Sequence, residues 1–200
     1  MKKQTVYTLL IIAFVLSFFV TPLGDYSKLI LNRFFATAPS IISEENRGHI
    51  TDYDWKLKDA NWNFFNFKKA EKNIVFITFW TSWHIPSLAQ LKGIQALYDT
   101  YKGEVQFYII TNEERAPVEA FMKKYKYTFP VTYQIIGEPS AIELLKPPGS
   151  YLIDKNGAIV IHQNAIADWD TTKVHNIVAD LMAKNLLQET IEAKEESTLR

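Results

Sequence analysis

His84 and Ser87 have the residue types and the spacing for nucleophilic chemistry. A histidine one helical turn from a serine could take the hydroxyl proton and so activate the oxygen for attack on a carbonyl carbon. Such a pair also needs an acid that orients the histidine and an oxyanion hole, and the sequence identifies neither. The alternative is that both residues are polar positions at a solvent-facing helix start. We therefore assign no catalytic residue.

Metal and thiol chemistry have less support still. The 200 residues include no cysteine, which excludes disulfides, thiolate nucleophiles and cysteine metal ligands. The histidines lack the spacing of a metal site, since they lie scattered at His49, His84, His162 and His175. We expect no metal and no cofactor. A formal net charge of zero gives no basis for nucleic-acid binding.

Hydrophobic periodicity between residues 54 and 186 predicts the elements that would position this pair. Residues 74–80 are almost all apolar, which is typical of a strand covered on both faces. A helix is predicted next, with Pro86 in its first turn. The order then continues as strand, helix, strand, hairpin and helix, with a hairpin turn at 154–157. A hairpin-like unit at 55–67 comes first, and the whole predicts one α/β domain.

The N-terminal residues predict export to a membrane. Lys2 and Lys3 precede a run that has no charged residue up to Leu23. The run is short for a membrane span and long for a signal-peptide core, and no small-x-small cleavage site follows it closely. An uncleaved anchor over residues 1–23 is therefore favoured over a cleaved signal sequence. Lysines that flank a membrane span tend to stay on the cytoplasmic side. We therefore expect a single-pass protein of the inner (cytoplasmic) membrane whose C-terminal domain faces the periplasm.

Two further segments flank the predicted domain. Residues 24–53 are a linker in which apolar and polar residues are mixed. Its apolar residues Leu29, Ile30, Leu31, Phe34 and Phe35 lie among Lys28, Asn32 and Arg33. They form either an amphipathic stretch on the membrane surface or a partly helical spacer that packs on the domain. Residues 187–200 are a charged tail, too polar to bury a face, and we expect frayed helix or disorder there.

Two motifs resemble those of the TlpA/ResA-like membrane-anchored thioredoxins, in particular a branch common in Bacteroidetes. The family's Phe-Trp-Ala-Thr-Trp-Cys-x-Pro-Cys matches Phe79-Trp80-Thr81-Ser82-Trp83-His84-Ile85-Pro86-Ser87. The segment 146–157 resembles the family's Val-Pro-Thr-Thr-Phe-Leu-Ile-Asp-x-x-Gly and puts Pro148 at the cis-proline loop, which faces the active-site helix. Weaker matches lie at 110–114 and 165–169. The resemblance implies a thioredoxin-like fold, with a central mixed sheet flanked by helices, extended by an N-terminal β-hairpin and a single N-terminal transmembrane helix.

The departures from the family pattern decide the chemistry. His84 and Ser87 stand where the family has its two cysteines, and Gln90 stands where it often has glutamate. Neither an imidazole nor an alcohol can form or resolve a mixed disulfide. Dithiol oxidoreductase chemistry is therefore excluded for this chain by itself.

In the family, a groove beside the cis-proline binds an extended segment through main-chain hydrogen bonds. The resemblance implies that replacing the two cysteines removes the thiols but leaves this surface in place. We predict a non-redox, membrane-tethered binding or assembly module whose partner is another extracytoplasmic protein or an extended peptide segment. One alternative is a protein of the oxidoreductase family that acts in redox homeostasis only through a cysteine-bearing partner; another is a stable spacer without a binding role. The predicted groove consists of Trp80, Trp83, His84, Ile85, Pro86, Ser87, Gln90, Pro147, Pro148 and Gly149.

Overall fold

The computed structural model describes residues 3–20 and 22–198. Its helices are α1 (Lys3–Val20), α2 (Pro22–Phe35), α3 (Ile85–Tyr101), α4 (Arg115–Tyr125) and α5 (Thr172–Thr198). Its strands are β1 (Lys56–Lys58), β2 (Phe64–Asn66), β3 (Ile74–Phe79), β4 (Val105–Thr111), β5 (Val131–Gln134), β6 (Ser150–Ile153) and β7 (Ile159–Gln163). Short 3₁₀ turns lie at Glu44–Asn46 and Phe67–Ala70.

The strands form one mixed sheet in the order β2-β1-β5-β4-β3-β6-β7. Strands β3, β4 and β5 are parallel, so their carboxyl ends meet at one edge. The pairs β1 with β2, β1 with β5, β3 with β6 and β6 with β7 are antiparallel. This confirms the predicted α/β fold, with a mixed sheet, flanking helices and an N-terminal hairpin.

Strand β3 is buried on both faces, as its apolar run predicts. Ile74 and Phe76 belong to a core cluster that helices α3, α4 and α5 complete. Val75, Ile77 and Phe79 belong to a second cluster on the other face, completed by the N-terminal hairpin region, the 3₁₀ turn at 67–70 and the loop that precedes β6. Strand β3 is therefore packed on both of its faces. This packing fixes the position of its carboxyl end, from which the loop to α3 begins.

The linker before the sheet packs on the domain. Helix α2 lies against α3, where the Arg33 Nε donates to the Ala89 carbonyl at 3.2 Å. Farther along, the Asp168 amide donates to the Thr37 carbonyl at 3.0 Å. This is the packing that the spacer alternative predicts, and it involves only the side of α2 that faces α3.

The chain begins and ends with helices, α1 and α5. Within the part of the chain that the structure describes, no helix is both long enough and apolar enough to cross a bilayer. Lys2, on which the predicted orientation depends in part, lies outside the described residues. At the other end α5 continues to Thr198, so residues 187–198 are helical, which is one of the two alternatives expected for the tail. The reason is that residues 172–198 contain neither glycine nor proline to end a helix.

Candidate functional site

The candidate site forms where β3 ends and α3 begins. Trp80 is fully buried, and its ring lies 5.4 Å from that of Phe121 on α4. Three residues later Trp83 has 72% of its surface exposed. The chain therefore leaves the core within one short loop, with Trp80 as its anchor and Trp83 in solvent. Helix α3 then starts with Pro86 in its first turn, as predicted.

His84 is the residue at the N-cap of α3, and its side chain does not cap the helix. Its Nδ1 instead lies 3.0 Å from the Ser87 Oγ, and the Trp83 and His84 rings meet edge to face at 5.9 Å. Ser87 is completely buried, so its hydroxyl cannot reach a substrate carbonyl without movement of the helix start. The pair therefore has the contact of an activated serine, but its hydroxyl is not accessible to a substrate.

Glu113, a residue that no sequence pattern indicated as part of the site, holds the loop before α3. Its carboxylate accepts the Ser82 amide at 2.6 Å and the Ser82 hydroxyl at 2.7 Å. The Thr111 hydroxyl, at the end of β4, donates to the same carboxylate at 3.3 Å. The strand order could have indicated this contact. Glu113 follows β4, Ser82 follows β3, and the carboxyl ends of these two parallel strands lie at the same edge of the sheet.

Replacing Glu113 with alanine is expected to loosen the loop between β3 and α3. Ser82 would lose both acceptors at once, and the free energy of unfolding should fall by about 1–3 kcal/mol. Denaturant unfolding measures this loss, and amide hydrogen exchange at Ser82 should become faster. Glu114→Ala is the matched control, because that exposed neighbouring carboxylate has no side-chain hydrogen bond among the described residues. Equal effects of the two substitutions would contradict the assigned role of Glu113.

The peptide bond between Pro147 and Pro148 is cis, as the resemblance implied for this loop. The loop is locked to the end of β3, because the Phe79 amide donates to the Gly149 carbonyl at 2.8 Å. Only glycine fits at 149, since a Cβ there would lie 2.3 Å from the Leu145 Cβ. The cis-proline loop is thus held at a fixed distance from the start of α3.

A buried polar network joins that loop to α3 through Gln90, which is 2% exposed. The Gln90 Nε2 donates to the Pro148 carbonyl at 3.1 Å and to the Thr78 Oγ1 at 3.2 Å. The Ser150 hydroxyl donates to the same Thr78 oxygen at 2.8 Å. Gln90 also accepts the Ala167 amide at 3.4 Å. An amide can serve all these neighbours because it both donates and accepts, whereas an ionised carboxylate only accepts.

Tyr151 supports the segment that leads into the cis-proline loop. Its hydroxyl donates to the Glu143 carbonyl at 3.1 Å. Burial, and secondarily the charge of Glu143, raises the pKa of Tyr151 to about 12. The phenol therefore stays protonated and remains a donor at neutral pH.

A small cavity and an exposed apolar side chain lie at the carboxyl edge of the sheet. A small cavity of about 60 Å³ lies between the carboxyl ends of β3, β4 and β5 and the loop, lined among others by Trp80, Gln134, Leu145 and Pro147. Ile136, two residues past the end of β5, has 83% of its surface exposed. Of the predicted groove residues, Trp80, Ser87, Gln90, Pro148 and Gly149 are buried, His84, Ile85, Pro86 and Pro147 are half-buried, and Trp83 is exposed. Two contacts join the helix side to the loop side: Gln90 bonds the Pro148 carbonyl, and Trp80 lines the small cavity with Pro147. Within residues 3–20 and 22–198, no cluster of three or more histidine, aspartate or glutamate side chains could hold a metal ion.

These features define a thioredoxin-like domain: a mixed sheet, a helix that starts at the end of a buried parallel strand, and a cis-proline loop bonded to that helix. The model of the AhpC/TSA family matches residues 52–162, more than half of the chain, and the protein belongs to this family. The predicted resemblance to TlpA/ResA-like thioredoxins is confirmed.

Relatives and solved structures agree on the fold. The chain is 35% identical over 92 residues to the thiol-disulfide oxidoreductase ResA of Bacillus cereus, a match that covers 43% of this chain and 51% of that protein. It is 31% identical over 97 residues to the sporulation thiol-disulfide oxidoreductase A of Bacillus subtilis, covering 46% and 58%. The chain thus spans little more than half the length of these relatives. A secreted thiol-disulfide isomerase of Corynebacterium glutamicum superposes with a TM-score of 0.58 at 13% identity, over 74% of this chain and 94% of that one.

Proposed function

We propose that this protein is a non-redox member of its family that holds an extended segment of another extracytoplasmic protein in the groove between α3 and the cis-proline loop. The observation that carries the proposal is that the cis-proline loop and the start of α3 are both present, although His84 and Ser87 stand in place of the two thiols. Gln90 still bonds the Pro148 loop to α3, and Trp83 remains exposed beside it. A large exposed aromatic ring next to a shaped groove is typical of a protein contact. Without a disulfide to exchange, a bound segment leaves only by dissociation.

The polar groups at the groove restrict how a segment binds. Pro147 and Pro148 have no N–H, and the Gly149 amide already donates to the Lys146 carbonyl at 2.8 Å. The Ser82 amide is occupied by Glu113. Among the described residues none donates to the Pro147 carbonyl, so this loop offers an acceptor and no free donor. Affinity would therefore come chiefly from apolar contact with Trp83 and Ile136.

The proposal includes attachment to the inner membrane through α1, with the domain on the periplasmic side. Every described side chain from Lys3 to Leu16 is exposed, and most of these side chains are apolar. A helix that is apolar on all sides fits a lipid environment. Alkaline extraction of native membranes tests the attachment, and release of the protein as a peripheral species would contradict it.

Site-specific photo-crosslinking in native membranes tests the binding role. A photoreactive residue at His84 should yield discrete adducts, because His84 lies beside the exposed Trp83 ring. The matched control is the same residue at His49, an exposed histidine that pairs with Ala158 at the opposite end of the sheet. Equal labelling at both positions, or none at His84, counts against a binding groove. Adducts at His84 that always carry a dithiol protein would favour the partner-dependent redox role instead.

A further inference from the structure

We propose that α2 is an interfacial helix whose side facing away from α3 lies on the surface of a phospholipid bilayer. This surface consists of Ile30, Leu31, Phe34 and Phe35. The inference rests on the membrane attachment proposed above. It adds to that attachment a fixed orientation of the domain.

The four side chains form one apolar stripe. Their spacing places them on one side of a helix of 3.6 residues per turn. Phe34 and Phe35 are 81% and 71% exposed, and Ile30 and Leu31 are about half exposed. The two phenylalanine rings touch edge to face, with centroids 5.5 Å apart. Large apolar side chains exposed together, rather than singly, mark a contact surface.

The opposite side of α2 is already occupied by the domain. Leu29 is partly buried, and so is Ala36, just past the end of α2. Arg33 lies on the same side and bonds the Ala89 carbonyl of α3. Helix α2 therefore has one side on protein and one side without a partner among the described residues.

The neighbouring helix identifies the occupant as lipid rather than a second protein. Helix α2 contacts α1, whose large apolar side chains are exposed on all sides of that helix. A protein partner covers one side of a helix, whereas lipid surrounds it. The apolar stripe of α2 continues this surface, as expected of an amphipathic helix at the bilayer boundary. The exposed residues of α1 are Val6, Tyr7, Leu9, Leu10, Ile11, Ile12, Phe14, Val15 and Leu16.

This orientation places the groove beside the membrane. Ala89, which receives the Arg33 bond, follows Ser87 by two residues, a rise of about 3 Å along the axis of α3. The start of α3 is therefore separated from the bilayer by little more than the thickness of α2, about 10 Å. The segments within reach of the groove are those that emerge from the membrane next to it.

Single-cysteine labelling tests the orientation cleanly, because the chain has no cysteine of its own. The full chain is reconstituted in phosphatidylethanolamine and phosphatidylglycerol vesicles after labelling Phe34→Cys with an environment-sensitive fluorophore. Phe64→Cys on the edge strand β2 is the matched control, since that phenylalanine is 69% exposed. Spin-labelled phospholipid should quench the label at 34 severalfold more than the label at 64. Leu10→Cys reports separately on α1.

Each outcome separates the proposals. A quenched label at 10 with an unquenched label at 34 overturns the orientation and leaves the membrane attachment standing. Unquenched labels at both positions overturn the attachment and the orientation with it. A label at 34 that is shielded from water but unquenched means that protein, such as a second copy, covers the stripe, and this also overturns the inference.

As a second measurement, Phe34→Ser/Phe35→Ser should keep the label at 10 quenched while proteolysis of the linker after α2 becomes faster; an unchanged proteolysis rate counts against the proposal.

Discussion

The double variant His84→Cys/Ser87→Cys is expected to form a reversible disulfide and to gain thiol-disulfide exchange activity. The side chains at these positions already meet, with Nδ1 and Oγ 3.0 Å apart across the first turn of α3. Backbone N–H groups at the helix start would lower the pKa of a thiol at 84 from about 8.5 to about 7 or below. The thiol at 87 would be buried, like the serine it replaces, and would resolve the mixed disulfide. Insulin reduction and titration against glutathione measure the activity and the potential.

The controls for this variant are the two single substitutions and the wild-type chain. His84→Cys should form mixed disulfides without resolving them, and Ser87→Cys should react slowly because it is buried. The wild-type chain, with no cysteine, should show no dithiol activity at any protein concentration. A folded double variant whose thiols stay unpaired under oxidising conditions would falsify the placement of the motif at the start of α3.

Gln90→Glu is expected to make stability fall with rising pH. The carboxyl group would be buried between the Pro148 carbonyl and the Thr78 hydroxyl. Arg33 and Lys92 line the same cavity as Gln90, and neither side chain bonds Gln90 in the described structure. Burial raises the pKa of such a carboxyl above its unfolded value of about 4.3 by up to 3–5 units. Because the folded pKa is the higher one, the variant keeps its stability below about pH 4 and loses it as pH rises through the folded value. Each unit is worth about 1.4 kcal/mol. The positive charges of Arg33 and Lys92 offset part of the burial effect, so we expect a rise of about 2 units and a loss of about 3 kcal/mol by pH 8.

Thermal unfolding of the variant and the wild type at matched pH values gives this difference directly. Gln90→Met removes the same hydrogen bonds without adding a titratable group, so its destabilisation should not vary with pH. Gln163→Glu adds a carboxylate at the partly exposed edge strand β7 and should change stability by less than about 0.5 kcal/mol. A Gln90→Glu variant whose difference from the wild type is constant between about pH 4 and pH 8 would show that the network tolerates charge.

Local patterns predicted most of the fold. The apolar run at 74–80, the helix that starts at Pro86 and the turn at 154–157 are all found where periodicity and turn chemistry put them. The motif match also placed Pro148 in a cis-proline loop, where the structure has a cis peptide bond. Each of these features depends on neighbours within a few residues or on a short sequence pattern.

What the sequence did not reveal depends on contacts between distant residues. Glu113 and Ser82 are 31 positions apart, and no local pattern pairs them. The contact of α2 with α3 likewise joins Arg33 to a carbonyl 56 residues away.

The two consecutive prolines of the loop have a thermodynamic consequence for association at the groove. A surface that offers no N–H beside Pro147 cannot gain the large favourable enthalpy of strand-like pairing. Burial of the indole of Trp83 and the side chain of Ile136 would instead give binding a negative heat-capacity change. Affinity would also depend little on ionic strength, because the contacts that supply it carry no charge.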